Sequence, residues 1–588
     1  MLNNIMNLKR LINEKDINKF YLLLFMMVIA ALFETIGIGL IVPIVGIITN
    51  PSIIESNFYL NKIFYTLNFS STNKFVIFGI FALLVVYIFK NAYLFLFNFV
   101  QYKVILSQQL KLSKRLFTEY LKKPYVFHLE QNSSTLLRNI NEEIPKVFQG
   151  IVLSYFQIIT EVLVIILILG LLLFSSPLAT MSATLILLTS LYFFVKYFKG
   201  KITSLGKEQQ QISGNILKWI NQGLGASKEI KVAGNEDYFV NSYSRMLAIK
   251  ISNSRYIKLL EILPRLFIEI LLVSIVLCTL LITVFQGSDT SKLMTTMALF
   301  AMAAFRLMPS INKIVGLITT IRYSQPALKV IYEDLFVNSN LEKEKLTLHQ
   351  NQHLNNIYPS FFKEEIKLNN VSFRYPDKSD FSINNVSLTI KKGESVAIIG
   401  ESGSGKTTLM DIILGLYSPQ QGEILIDNKQ LEVVRNNWIK VIGYIPQNIF
   451  LTDNTIRNNI AFGVEENEIN EEIVWDTLEK AQLKSFVENL PDKLNTVVGE
   501  RGVKLSGGQR QRLGIARALY NNPEIIFMDE GTSALDNETE KEVMKAIDCL
   551  KGEKTLIIIA HRLSTIENCD ISYKLDKGKI VSENKKYA

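Results

Sequence analysis

Cysteine is nearly missing from this chain of 588 residues: Cys278, Cys549 and Cys569 stand far apart. No metal-ligand or disulfide spacing can be read from them, so they serve as apolar filler. Charge is also sparse, at 20% of residues, against 48% hydrophobic. That balance is too apolar for an ordinary soluble protein, and it hides two unlike halves. A cleavable leader is not expected either. Met1 to Lys19 is mixed polar and basic, and the apolar run after it is too long for a signal core. The net charge of +9 would suit nucleic acid, but the basic residues gather beside apolar runs, so no nucleic-acid partner is expected.

What the first half has is apolar length. A bilayer-crossing helix needs roughly 20 apolar residues. Six segments qualify: Phe20–Thr49, Phe75–Val100, Ile151–Phe174, Leu178–Phe198, Ile262–Phe285 and Leu293–Ile318. Only Ser175, Ser176 and Pro177 separate the third from the fourth, and Gln286–Lys292 joins the fifth to the sixth. Lys9, Arg10, Lys15 and Lys19 precede the first segment. Basic clusters from Lys103 to Lys123 and from Lys196 to Lys207 follow the second and fourth. The other loops hold little beyond Lys62 and Lys74. The positive-inside rule then places both termini in the cytoplasm of a multi-pass protein of the cell inner or plasma membrane.

The two inner connections, 101–150 and 199–261, have few prolines and apolar residues at helical spacing. They predict helices that continue well below the bilayer. In the first outer loop, Phe58, Leu60, Ile63, Phe64 and Leu67 share one helical face. That predicts a short amphipathic helix at the outer surface, the alternative being a packed loop helix. Residues 1–337 are thus expected to form the transmembrane domain and 338–364 a polar linker. From 365 to 588 strands and helices alternate, as in an α/β domain.

The α/β domain carries a phosphate-binding loop: Gly400, Glu401, Ser402, Gly403, Ser404, Gly405, Lys406, Thr407. It fits G-x-x-x-x-G-K-[ST]. A buried strand, Ser395–Ile399, precedes it, and a helix opens at Thr408. The glycines let backbone N–H groups approach phosphates at a helix N-terminus. Lys406 is placed for the β- and γ-phosphates, and Thr407 for Mg²⁺. A second apolar strand, Ile525–Met528, ends in Asp529 and Glu530. Asp529 suits Mg²⁺ through its water shell, and Glu530 suits polarisation of the attacking water.

Between them lies Leu505-Ser506-Gly507-Gly508-Gln509. With this pentapeptide the sequence resembles the ATP-binding-cassette (ABC) family. The resemblance implies ATPase domains that dimerise head to tail, so that Ser506, Gly507, Gly508 and Gln509 of one chain meet the nucleotide held by the other. Several further positions match in order. Tyr375 resembles the aromatic that stacks on adenine. Gln447 resembles the Q-loop residue that senses Mg²⁺ and the membrane domain. Asp536, in Ser533-Ala-Leu-Asp536, resembles the D-loop, and His561 the switch histidine. Val498-Gly-Glu-Arg-Gly502 is similar to the exporter X-loop. Gly531 departs from the family's alanine but removes no chemistry. The resemblance implies an α-helical six-span transmembrane domain of the exporter type followed by an α/β nucleotide-binding domain. It also implies a homodimer with two ATP–Mg²⁺ sites. Coupling helices are expected at Pro124–Glu130 and Ala233–Phe239.

Charges inside the apolar runs bear on cargo. Lys90, Arg265, Arg306 and Lys313 would line a path for an anionic substrate, since arginine forks suit pyrophosphate. The ordinary alternative is structural pairing, with Glu34 or Glu269 as partner. Phe33–Pro43 and Arg306–Lys313, with the outer amphipathic helix, resemble bacterial lipid-linked oligosaccharide flippases of the Pgl type. That implies flipping of a polyprenyl-pyrophosphate glycan from inner to outer leaflet. The alternatives are a lipid A, drug or peptide exporter of the same architecture, or a non-transporting regulatory ABC protein.

Overall fold

The apolar runs fold as helices that continue past the length a bilayer needs. The computed structural model describes residues 2–11, 16–40, 44, 47, 48, 51, 53–175, 177–285, 290–337, 361–376, 378–529, 537–560, 566 and 568–585. Some side chains within these ranges also lie outside the description, Arg265 and Arg306 among them. The chain divides into two compact units. Met1–Lys123 with His128–Lys343 forms one, and Pro124–Phe127 with Glu344–Ala588 the other.

The first unit is helical. Its main elements are α1 (Leu2–Leu11), α2 (Ile17–Gly39), α3 (Phe58–Thr66), α4 (Thr72–Lys122), α5 (Tyr125–Glu130, shared with the second unit), α6 (Leu153–Ser175), α7 (Pro177–Gly225), α8 (Ser227–Ala233), α9 (Glu236–Phe285) and α10 (Thr290–Tyr332). The 51 residues of α4 span about 75 Å at 1.5 Å per residue, far beyond a hydrocarbon core. Both inner connections are helical, as expected. Among the described residues three helices are long and apolar enough to cross a membrane: Ile17–Gly37, Thr72–Lys122 and Ser133–Gly170. The other three expected segments fall on α7, α9 and α10, where many side chains are outside the description.

Helix α2 packs on α4 and α6, α6 on α10, and α7 on α9 and α10. Leu23, Met27, Ala30 and Phe97 close the α2–α4 seam. Ala31, Val164, Ile168, Leu307 and Ile311 close the seam of α2, α6 and α10. Gly206 permits a close crossing: a Cβ there would lie 2.3 Å from the Tyr323 carbonyl oxygen. Between residues 139 and 152 the helix leading into α6 widens into π-helical turns. Asn139, in those turns, donates to the Tyr120 hydroxyl (3.1 Å) and to Asp334 (3.0 Å), and Tyr120 also donates to Asp334.

Three expectations are refined. Helix α3 forms with Asn57 as its N-cap, but only Leu60 and Phe64 of its apolar face pack inward, near Phe69 and Phe75. Phe58, Ile63 and Leu67 are exposed. The second coupling candidate is a junction instead of a helix: α8 stops at Ala233, Gly234 takes φ +64°, and α9 starts at Glu236. Phe362, placed in the linker by its polar neighbourhood, is fully buried in the second unit, its ring 6.3 Å from Trp438.

The second unit holds two sheets. Strands β1 (Glu365–Phe373), β2 (Ile383–Lys391), β4 (Gln421–Ile426) and β5 (Lys429–Gln430) form an antiparallel sheet ordered β2-β1-β4-β5. The other is ordered β10-β9-β3-β8-β7-β6, from β3 (Ser395–Ile399), β6 (Ile442–Ile445), β7 (Ile525–Asp529), β8 (Thr555–Ile559), β9 (Ile571–Asp576) and β10 (Lys579–Lys585). All its pairings are parallel except that of β10 with β9. Strands β7 and β8 are buried throughout, as parallel strands covered on both faces must be. Alternation then splits the core: Ile525 and Phe527 face one apolar cluster, Ile526 and Met528 the other.

Candidate functional site

Parallel sheets present their ligands at the carboxyl ends of the strands. Here those ends align. Ile398 of β3 pairs with Ile559 of β8, Ile559 with Asp529 of β7, and Ile445 of β6 with Met528. Gly400, Gln447 and Asp529 therefore emerge along one edge of the sheet. Glu530, Gly531, Ser533, Asp536 and His561 lie outside the described residues, just past the ends of β7 and β8.

The loop after β3 is shaped by glycine. Gly405 has φ +105°, and a Cβ there would come within 2.8 Å of the Ser382 carbonyl oxygen. A Cβ on Gly400 would lie 2.2 Å from the Leu575 carbonyl oxygen. The β9–β10 turn holds the loop, with Gly578 N donating to the Ser404 carbonyl (2.9 Å). Lys406 is buried at the start of α11 (Lys406–Ile413), and its ammonium donates to the carbonyls of Gly400 (3.0 Å) and Glu401 (2.8 Å). The Ser404 hydroxyl is buried without a hydrogen-bond partner among the described residues. A cradle that glycine alone can line, an orphaned hydroxyl and a lysine at a helix N-terminus together fit a phosphate chain.

Thr407 is exposed at that helix start, Gln447 is exposed beyond β6, and Asp529 is buried at the end of β7. One carboxylate, one hydroxyl and one amide oxygen are a hard, oxygen-only donor set. Mg²⁺ bound through phosphates needs no more protein ligands than this. Asp411, one turn into α11, was not singled out by sequence. Burial, with the Asp529 charge behind it, pushes its carboxyl up to about 7. A carboxylate interrupting the apolar run Leu409–Ile413 was the available signal.

Tyr375 is partly buried against Phe373 and Tyr417, at 5.2 and 5.7 Å between ring centroids. Its hydroxyl shares a hydrogen bond with the Thr408 hydroxyl (3.0 Å), which ties the expected adenine-stacking ring to the phosphate-loop helix. The signature pentapeptide opens α12 (Gly507–Leu519). Ser506 is its N-cap, accepting from Gln509 N (3.2 Å), and the Gln509 side chain accepts from Ser506 N (2.8 Å). Gln509 thus completes a capping box and presents a rigid helix N-terminus, favourable to an anion. Arg517 on the same helix is half-buried and donates to the carbonyls of Asn459 and Phe450 (2.7 Å each), which fixes the segment after Gln447. Sequence gave no signal for that tie.

In the first unit, Lys90 and Lys313 do not stand alone. Lys90 pairs with Glu34 at 3.0 Å and Lys313 with Glu161 at 2.9 Å. The side chains of Arg265 and Arg306, the other members of the expected basic path, lie outside the described residues.

A parallel-sheet phosphate site joined to a helical membrane unit defines an ATP-driven membrane transporter. Residues 383–533 match the family profile "ABC transporter" and residues 36–308 the "ABC transporter transmembrane region". The chain belongs to the ABC transporter family and is an exporter-type half-transporter that hydrolyses ATP. It is 29% identical over 480 residues to the ATP-dependent lipid A-core flippase of Pseudoalteromonas translucida (strain TAC 125), across 80% of this chain and 79% of that one. With the flippase of the same name from Francisella tularensis subsp. tularensis (strain SCHU S4 / Schu 4) it shares 35% over 399 residues, 67% and 63% of the two chains. It shares 41% over 246 residues with the multidrug resistance ABC transporter ATP-binding and permease protein of Lactococcus lactis subsp. lactis (strain IL1403), 42% and 40%. A bacterial Atm1-family ABC exporter solved with ATP bound has the same fold, with TM-score 0.76 at 22% identity over 97% and 96% of the chains.

Proposed function

We propose that the chain is a flippase for a lipid with a sugar head group, working as a homodimer with six spans per chain and cytoplasmic ATPase domains. Two cargoes belong to this class. One is the polyprenyl-pyrophosphate glycan to which the membrane segments point, and the other is a lipid A-core type of lipid. The observation that carries the class is similarity to lipid A-core flippases across 80% of this chain. The Lys90–Glu34 and Lys313–Glu161 pairs favour the second cargo, because they neutralise two of the four cations offered to a pyrophosphate.

In this reading Gly400–Thr408 and Tyr375 hold ATP. The partner chain brings Ser506, Gly507 and Gly508 to its γ-phosphate, held in place by Gln509 and near the D-loop Asp536. Thr407, Gln447 and Asp529 would hold Mg²⁺, which neutralises phosphate charge when bound. Glu530 orients the attacking water and His561 contacts the γ-phosphate. Pro124–Phe127 carries the coupling: Tyr125 lies 6.0 Å from Tyr417, and Val126 packs on the sheet core.

The test is reconstitution into proteoliposomes with ATP, comparing a polyprenyl-pyrophosphate glycan, a lipid A-core lipid and a fluorescent phospholipid. ATP-dependent movement of either glycolipid, faster than that of the phospholipid, is expected. Movement of the phospholipid alone, or of none, would sink the reading. Loss of glycan flipping in Arg265→Ala and Arg306→Ala would restore the pyrophosphate cargo to first place.

A further inference from the structure

A polar cavity of about 130 Å³ lies among α2, α4, α6 and α10, inside the apolar segments of the first unit. Polar groups there are costly and mark function more often than packing. Its polar wall includes Glu34, Asn98, Gln101, Gln157, Glu161 and Lys313.

The wall is close to neutral. Glu34 is held by Lys90 at 3.0 Å. Glu161 is held by Lys313 at 2.9 Å and accepts from the Ser310 hydroxyl at 2.7 Å. An anion entering would find each lysine already matched by a carboxylate. A cation would find each carboxylate already matched by a lysine. A neutral, hydroxyl-rich group meets neither cost.

Gln101 supplies the specific feature. Its side chain is 1% exposed, and neither its Oε1 nor its Nε2 has a hydrogen-bond partner among the described residues. Buried carboxamides are almost always satisfied, so two orphaned atoms in a cavity wall ask for a ligand. A carboxamide places an acceptor beside two donors. Adjacent hydroxyls on a sugar ring, each a donor and an acceptor, match it. Phe97 and Val164 give the cavity an apolar side that suits the C–H face of such a ring.

We propose that this cavity binds one sugar ring of the transported lipid's head group, with Gln101 reading a vicinal diol and the Glu34–Lys90 and Glu161–Lys313 pairs forming a neutral polar rim. This rests on the reading that the cargo is a glycolipid.

The experiment is saturation-transfer NMR on the full chain in sugar-free lipid nanodiscs, with hexyl β-glucoside as probe and hexyl tetraethylene glycol as sugar-free control. The wild type should transfer magnetisation to the ring protons, and excess control should not displace the glucoside. Gln101→Leu should weaken binding at least ten-fold. That variant deletes an unsatisfied amide, so it should unfold at no lower a temperature. Asn98→Ala, on an exposed position, gives a second and weaker loss. No transfer to the ring in the wild type, or equal affinity in Gln101→Leu, overturns the site. If the glucoside binds through Gln101 and no glycolipid is flipped, the site stands and the flippase reading falls. If Gln101→Leu flips a glycolipid as fast as the wild type, the site falls and the flippase reading stands.

Discussion

Lys90 on α4 and Glu34 on α2 meet at 3.0 Å, with only 10% and 15% of their side chains exposed. Each lies in an apolar run, where a lone charge would be expensive, and each answers the other. Lys90 also sits 4.9 Å from the centre of the Tyr87 ring. The pair is a seam between the first two membrane helices as well as a boundary of the polar cavity.

Breaking this pair should cost more than removing it. Lys90→Met leaves a shielded carboxylate without its lysine, a loss on the order of 3–5 kcal/mol, while replacing both partners is close to neutral. Thermal unfolding in nanodiscs should rank Lys90→Met well below the Lys90→Met/Glu34→Gln double variant. Equal losses for the two would mean the pair is not coupled.

Gly405→Ala should abolish nucleotide binding without disturbing the membrane unit. The new Cβ meets the Ser382 carbonyl oxygen at 2.8 Å in a backbone at φ +105°. A left-handed conformation alone costs roughly 1–2 kcal/mol for a side-chain-bearing residue. A fluorescent ATP analogue titrated against the purified variant should show little or no binding. Wild-type affinity would contradict the cradle.

Glu530→Gln should keep ATP binding and lower hydrolysis by about 10²–10⁴-fold, the usual contribution of a general base. Phosphate release under saturating ATP measures it. A variant that hydrolyses ATP at the wild-type rate would remove Glu530 from the mechanism.

Asp16, just before the first span, should make stability depend on pH. Hydrogen bonds from Lys111, Lys19 and Gln108 hold its carboxyl well below the usual carboxylate range. A depressed folded value gives stability that is present above the unfolded value, near 4, and is lost as pH falls through the folded one. Asp16→Asn should therefore unfold at a lower temperature than the wild type at pH 7. The gap should shrink as pH drops below about 4. A gap that is constant with pH would exclude the linkage.

The candidate nucleotide site was legible because phosphate chemistry imposes local order. A glycine loop between a buried strand and a helix at Lys406, and carboxylates at the end of an apolar strand at Asp529, are features of consecutive residues. The capping box of Ser506 and Gln509 was equally local, being a serine followed three residues later by glutamine, although the pentapeptide was read for its contact with nucleotide alone. Phe362 was misplaced because its neighbours are polar, while its own burial depends on Trp438, far along the chain.

By itself, the sequence determined the two-domain order, the helices longer than a bilayer and the phosphate loop, since each rests on periodicity or spacing within one segment. Only the tertiary structure decided what the charges inside the apolar runs do. Lys90 finds Glu34 across one helix seam and Lys313 finds Glu161 across another, partners separated by many residues and joined only when the helices pack. Packing likewise places Gln101 in the cavity wall with its amide unmet among the described residues. Whether an intramembrane charge is a ligand, a latch or a rim depends on what stands opposite it, and chain position alone does not specify that.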